Sequence, residues 1–265
     1  MLALSSSAEL LQALARAARI DVEAYTLSGP VLRAVETAAR RGAHVAVHLE
    51  ETPYNAGHLA TENRKVASQL RRAGANAALE HPLHAKEIVT DGTLYLDEKN
   101  WRPGDLILRD DDAADASTIP QIKHEALEYE RRLLDGARRD DEVIVESESF
   151  GCCNAVYSEL KTMGADAPRL LVCERELRGN RRELAILEAL TAKGVRVRVC
   201  SDSEKLAVAG DRAWLGSANA TLAAPAADGP DWGLCTGDAD IVRAVRARLE
   251  SEWRRAHELA PATSN

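Results

Sequence analysis

His84 stands two residues before Lys86, and Ser203 stands at the same spacing before Lys205. An imidazole can attack an electrophile or carry a proton near neutral pH, and an ammonium group close by can neutralise an anion being attacked. The stretches His84–Asn100 and Ser203–Asn219 align without a gap, so that Lys86 falls on Lys205, Leu96 on Leu215 and Asn100 on Asn219. Unbroken correspondence of this kind is an internal duplication.

The polar residues of the duplicated segment read His-x-Lys, an apolar run, Asp, a second apolar run, then Gly-Ser-x-Asn. This pattern resembles the signature of the phospholipase D superfamily. The first copy holds His84, Lys86, Asp91 and Asn100 but has Asp97-Glu98 where Gly-Ser is expected. The second holds Lys205, Gly216, Ser217 and Asn219 but has Ser203 for the histidine and Gly210 for the aspartate. Both copies are one residue shorter than the commonest form between the aspartate and Gly-Ser positions. The expectation is one composite site, degraded differently on its two sides.

The resemblance implies a phosphodiesterase that acts through a phosphohistidine at His84 and needs no metal or other cofactor. A phosphodiester repels nucleophiles, so a catalyst needs cations for the non-bridging oxygens, a nucleophile, and an acid for the leaving oxygen. Lys86 and Lys205 are the expected cations, with Asn100, Asn219 and the Ser217 hydroxyl as hydrogen-bond donors. Asp91 takes a supporting role by resemblance; whether Asp91 or a distant carboxylate such as Asp231 orients the imidazole is open at this stage. Ser203 occupies the place of the family's second histidine, and a hydroxyl is too weak an acid to protonate a departing alcohol near pH 7. Losing general acid catalysis costs on the order of 10²- to 10⁴-fold in rate. An acidic leaving group, a substitute acid such as His81 or His124, or a protein that only binds phosphate would each accommodate Ser203. The rival readings are therefore a phosphate- or phosphodiester-binding module without turnover, and a phosphatidyltransferase of lipid synthesis.

The elements that must position these residues alternate between strand and helix. Ser5–Ser7 precede an amphipathic helical run through Ala17, followed by strands at 20–27 and 44–49 around a helix at 30–41. A helix follows over 63–73, then a short strand. Glu87–Thr90 and Leu94–Leu96 read as a hairpin turning at Asp91-Gly92. The second half repeats the order: strands at 143–147, 170–173 and 195–199, helices at 154–163 and 180–192, and a last helix over 238–257. Asp105-Leu106-Ile107-Leu108 corresponds to Asp231-Trp232-Gly233-Leu234. The expected architecture is α/β, with two similar repeats, each a mixed sheet covered by helices, packed about a pseudo-two-fold axis. The expected divisions are 1–109, an acidic linker and joining helix over 110–139, and 140–265.

The chain carries 34 Lys plus Arg against 42 Asp plus Glu, a net charge of -8, which excludes a surface that tracks nucleic acid along its whole length. The expected partner is a phosphodiester substrate: a nucleic acid, a phospholipid or a small diester. No stretch reads as a membrane span, and the five scattered cysteines fit a reducing, cytoplasmic setting. The duplication supplies its own pseudo-dimer, so a monomer is expected. Arg64, Lys65, Arg181 and Arg182 open what read as corresponding helices and could flank a groove for a polyanion. His44 and His48 share a strand face but lack a third metal ligand, and Cys152-Cys153 read first as core packing.

Overall fold

Two copies of one strand and helix pattern fold into two copies of one sheet. The computed structural model describes residues 2–53, 57–111, 122–163, 167–221 and 230–259. The chain divides into two units, Met1–Ile122 with Ala227–Trp232, and Lys123–Ala226 with Gly233–Asn265.

The first unit contains β1 (Leu2–Ser5), α1 (Ser7–Arg16), β2 (Arg19–Ala24), α2 (Gly29–Arg40), β3 (His44–Glu50), α3 (Gly57–Ala73), β4 (Asn76–Glu80), β5 (Lys86–Thr90), β6 (Thr93–Asp97) and β7 (Ile107–Asp110). Its sheet runs β1-β7-β6-β5-β2-β3-β4. β2, β3 and β4 are parallel, while β5, β6 and β7 are antiparallel to their neighbours. Ser6 accepts the Glu9 amide and Glu9 returns a bond to the Ser6 amide, a capping box that fixes the start of α1. Asp91 and Gly92 both take positive φ, 48° and 94°, as a tight two-residue hairpin requires. Leu10, Leu14, Val22, Val35, Val47, Leu70 and Ile88 belong to the buried core.

The second unit contains α4 (Lys123–Asp135), β8 (Val143–Ser147), α5 (Ala155–Thr162), β9 (Arg169–Cys173), α6 (Glu174–Leu177), α7 (Arg181–Thr191), β10 (Arg196–Cys200), β11 (Leu206–Ala209), β12 (Arg212–Gly216), β13 (Gly233–Thr236), α8 (Ala239–Arg255) and β14 (His257–Glu258). Its order, β13-β12-β11-β8-β9-β10-β14, matches the first sheet strand for strand once the edge strands β1 and β14 are set aside. Asn154, Asn180 and Asp238 each cap the helix that follows through a side-chain oxygen. The expected α/β architecture of two like repeats is therefore what the chain builds.

Three differences from the sequence reading have local causes. β1 and β14 are edge strands of 4 and 2 residues, too short to show a period, and form because β7 and β10 offer them a partner. α3 begins at Gly57, six residues before the expected start at 63, so Asn63 lies within the helix and donates its buried amide to the carbonyls of Tyr25 and Glu50. Only Asn180 opens its helix. α4, expected as a connector, packs on α5, β12 and β13 of the second unit; the acidic stretch before it lies, from 112 to 121, outside the described residues. Among the described residues no helix is long and apolar enough to cross a membrane.

Candidate functional site

The first unit gathers its chemistry where β2 ends and β5 begins. Lys86 opens β5 beside Ala24, the last residue of β2, and Tyr25 follows directly. Glu50, buried at the end of β3, accepts the Leu83 amide at 2.6 Å and meets His81 Nδ1 at 2.7 Å, which anchors the loop leading to His84. His84 Nδ1 lies 2.6 Å from Asp231 Oδ1, with the two side chains 16% and 4% exposed. The His84 amide donates to the Pro230 carbonyl at 3.2 Å, so the Pro230–Trp232 segment is tied to the histidine by backbone as well as side chain. Tyr25 meets the His84 ring edge-on, 5.0 Å between centroids. Lys86 Nζ donates to the His84 carbonyl at 2.8 Å, stands 3.5 Å from His84 Nδ1 and lies 5.8 Å from the centre of the Tyr25 ring.

An ionised carboxylate can only accept, so Asp231 requires the proton on Nδ1 and leaves the lone pair on Nε2. A half-buried imidazole so oriented can attack an electrophile. The adjacent ammonium, buried to 1% exposure, supplies positive charge in surroundings that screen it little.

Asp91 stands apart from this group. It sits in the turn at the other end of β5 from Lys86 and accepts the amides of Ala18 and Arg19 through 2.8 to 3.1 Å bonds. Of the two carboxylates left open for the imidazole, Asp91 is separated from His84 by the length of β5 and ties the hairpin to the start of β2. Asp231 orients the ring instead. It lies 147 residues from His84, so the sequence could name it as a candidate but motif spacing could not choose it over Asp91; its correspondence with Asp105 in the repeat is a further signal.

The residues that replace Gly-Ser form a buried acidic loop. β5 and β6 pair Glu87 with Leu96, which sets Asp97 across from Lys86 one step further along. Asp97 accepts the Trp101 amide, Glu98 accepts the Leu106 amide at 3.2 Å, and Asp105 accepts the Arg102 amide at 2.5 Å, closing the 97–106 loop on itself. Trp232 donates its indole N–H to the Asp97 carbonyl at 3.2 Å. One carboxylate oxygen from each of Asp97, Glu98 and Asp105 falls within 4.8 Å of the others, a spacing that could hold a cation, and the Lys99 ammonium lies 3.9 Å from Asp105. Burial, then the Asp105 charge, pushes the Asp97 carboxyl up to about 7 against the opposing pull of the Trp101 and Lys99 amides and of Lys86. Asn100 buries its Oδ1 with no hydrogen-bond partner among the described residues.

In the second unit Lys205 Nζ donates to the Ser203 carbonyl at 3.3 Å, repeating the bond that Lys86 makes to His84. Glu148 takes the place that Tyr25 holds in the first unit and pairs with Lys205 at 3.3 Å; Glu148 also pairs with Arg175. The Ser203 amide donates to Asp202 Oδ1 at 2.9 Å, and Ser217 is fully buried. Asn219, like Asn100, buries an Oδ1 without a partner among the described residues. Arg64 and Lys65 are exposed on α3, Lys65 paired with Glu62. Arg181 is exposed on the first turn of α7, and Arg182 turns to Cys152.

No family model matches the sequence, and no curated protein matches it. Solved structures do. Phosphatidylserine synthase from Haemophilus influenzae Rd KW20 superposes with a TM-score of 0.63 at 12% identity, over 97% of this chain and 87% of that one. Polyphosphate kinase from Porphyromonas gingivalis gives 0.60 at 13% identity over 100% of this chain and 53% of the other, so this chain spans about half the length of that relative. Nuc from Salmonella typhimurium, a phospholipase D family member, gives 0.42 at 16% identity over 49% of this chain and 88% of its own.

Proposed function

We propose, on the premise that the chain has the phospholipase D-like fold, that it acts on a phosphodiester through His84 in the first unit. The observation that carries this reading is the 2.6 Å contact between His84 Nδ1 and buried Asp231, with the Lys86 ammonium alongside. His84 Nε2 attacks phosphorus, the bond to the departing oxygen breaks, and a phosphohistidine forms that water then cleaves. Lys86 neutralises a non-bridging oxygen and the Asn100 Nδ2 amide donates to another. A second reading, phosphate binding without turnover, rests on the buried Lys86 ammonium, which would hold an anion whether or not His84 attacks it.

Hydrolysis of an activated aryl phosphodiester, followed with a chelator present, tests the first reading. We expect slow turnover that His84→Ala abolishes. Asp231→Asn should lower the rate at least tenfold with little change in substrate affinity, because it disturbs the imidazole and leaves Lys86 in place. An undiminished rate in the His84→Ala protein would refute nucleophilic catalysis, and retained anion binding without any turnover in the wild type would establish the second reading.

A further inference from the structure

Adjacent side chains in extended backbone point to opposite sides, so two neighbouring thiols normally diverge. In the loop between β8 and α5 they converge. Cys153 has φ 64°, in the left-handed region that few residues other than glycine adopt, and this turn brings the Cys152 and Cys153 Sγ atoms to 3.6 Å. The loop is held from both sides. Gly151 donates to the Ala220 carbonyl at 2.8 Å, Asn154 Nδ2 donates to the Gly151 and Ala220 carbonyls at 2.6 and 2.8 Å, and Phe150 donates to Glu183 at 2.7 Å. Glu183 lies on the first turn of α7, and the same turn places Arg182 Nη2 3.7 Å from Cys152 Sγ. Cys153 is exposed and Cys152 half-buried, whereas Cys173 and Cys200 are buried and Cys235 is partly so.

We propose that Cys152 and Cys153 are an oxidisable vicinal dithiol, in which Cys152 reacts first with a peroxide and Cys153 resolves the product. The Cys152 thiolate attacks one oxygen of hydrogen peroxide, the O–O bond breaks, and hydroxide leaves with the bonding pair, giving a sulfenic acid. The Cys153 sulfur then attacks Cys152 Sγ and the S–OH oxygen departs as water. Two thiols and one peroxide thus yield one disulfide and two waters, the peroxide being reduced by two electrons. The Sγ atoms have to close from 3.6 Å to about 2.05 Å, and because neighbouring Cα atoms lie only about 3.8 Å apart, below the usual disulfide span, the bond formed is strained and readily reduced. The Arg182 guanidinium, hydrogen-bonded to Cys152, holds that thiol below the usual thiol range, while the hydrogen bond that Cys153 makes to Cys152, and then the Cys152 charge, push the Cys153 thiol up. Burial raises the other three thiols, which leaves them inert beside this pair. The proposal is independent of the phosphodiester reading and stands whether or not His84 acts.

The test uses the whole chain, treated with hydrogen peroxide, alkylated, digested and analysed by mass spectrometry. The peptide bearing both cysteines is expected to lose two hydrogens and to regain them with dithiothreitol. Cys153→Ser should leave a sulfenic acid at Cys152 that dimedone captures, whereas Cys152→Ser should give no adduct at Cys153. Arg182→Gln should slow iodoacetamide alkylation of Cys152 at pH 7 several-fold and change that of Cys153 less. Absence of the intrachain disulfide, a disulfide between chains, or equal alkylation of the two thiols regardless of Arg182 would each overturn the proposal.

Discussion

Glu130 occupies a position in α4 where spacing calls for an apolar residue. Ala126, Leu127, Leu133 and Leu134 are buried with it on the face that meets α5, β12 and β13. Burial alone pushes its carboxyl up from 4.5 to about 8. Between these limits the folded chain holds a proton that the unfolded chain releases, so stability falls as pH rises. Glu130's contribution is complete below about pH 4.5 and gone above about pH 8. At pH 7, keeping the native carboxyl protonated costs about 2.5 pH units, on the order of 3 kcal/mol. Glu130→Gln preserves the shape and cannot ionise in either state. We expect the variant to match the wild type near pH 4 and to exceed it by on the order of 3 kcal/mol at pH 7. Urea unfolding followed by tryptophan fluorescence reads the effect, because Trp214 donates to the α4 carbonyl of Ala126. Raised carboxyls elsewhere, Asp97 and Glu87 among them, are common to both proteins and cancel in the difference. A gain of the same size at both pH values, or none at pH 7, would refute the assignment of a buried, protonated glutamic acid.

Two further outcomes follow from the first unit. Asp97, across the hairpin from Lys86 and flanked by Glu98, Lys99 and Asp105, ionises near pH 7, so tungstate binding measured by calorimetry should weaken roughly tenfold between pH 6 and 8, about 1.4 kcal/mol of repulsion. Asp97→Asn should flatten that profile, and an unchanged slope in the variant would exclude Asp97 as its source. Asp91→Ala should cost about 2 kcal/mol in urea unfolding, from the lost acceptors for Ala18 and Arg19 and from the positive φ, while the rate on an aryl diester is retained. A rate loss at unchanged stability would restore Asp91 to the chemistry.

The duplication was legible because both repeats keep the same succession of periods and punctuation. Asn154, Asn180 and Asp238 precede their helices as caps, and Asp91-Gly92 turns the first hairpin as the dipeptide dictates. These are local effects, written in neighbouring residues. The sequence by itself therefore determined the mixed α/β repeats and the positions of His84, Lys86 and Lys205 at strand starts. Which carboxylate meets which cation was decided by tertiary structure alone. Asp231 reaches His84 from 147 positions away while the nearer Asp91 is carried to the far end of β5. Glu148 reaches Lys205, and Arg182 reaches Cys152, only after β8, β11, α5 and α7 have packed. Sequence spacing fixes the face of an element that a side chain occupies; the partner beyond that face is set by strand register and by loops whose course depends on the whole unit.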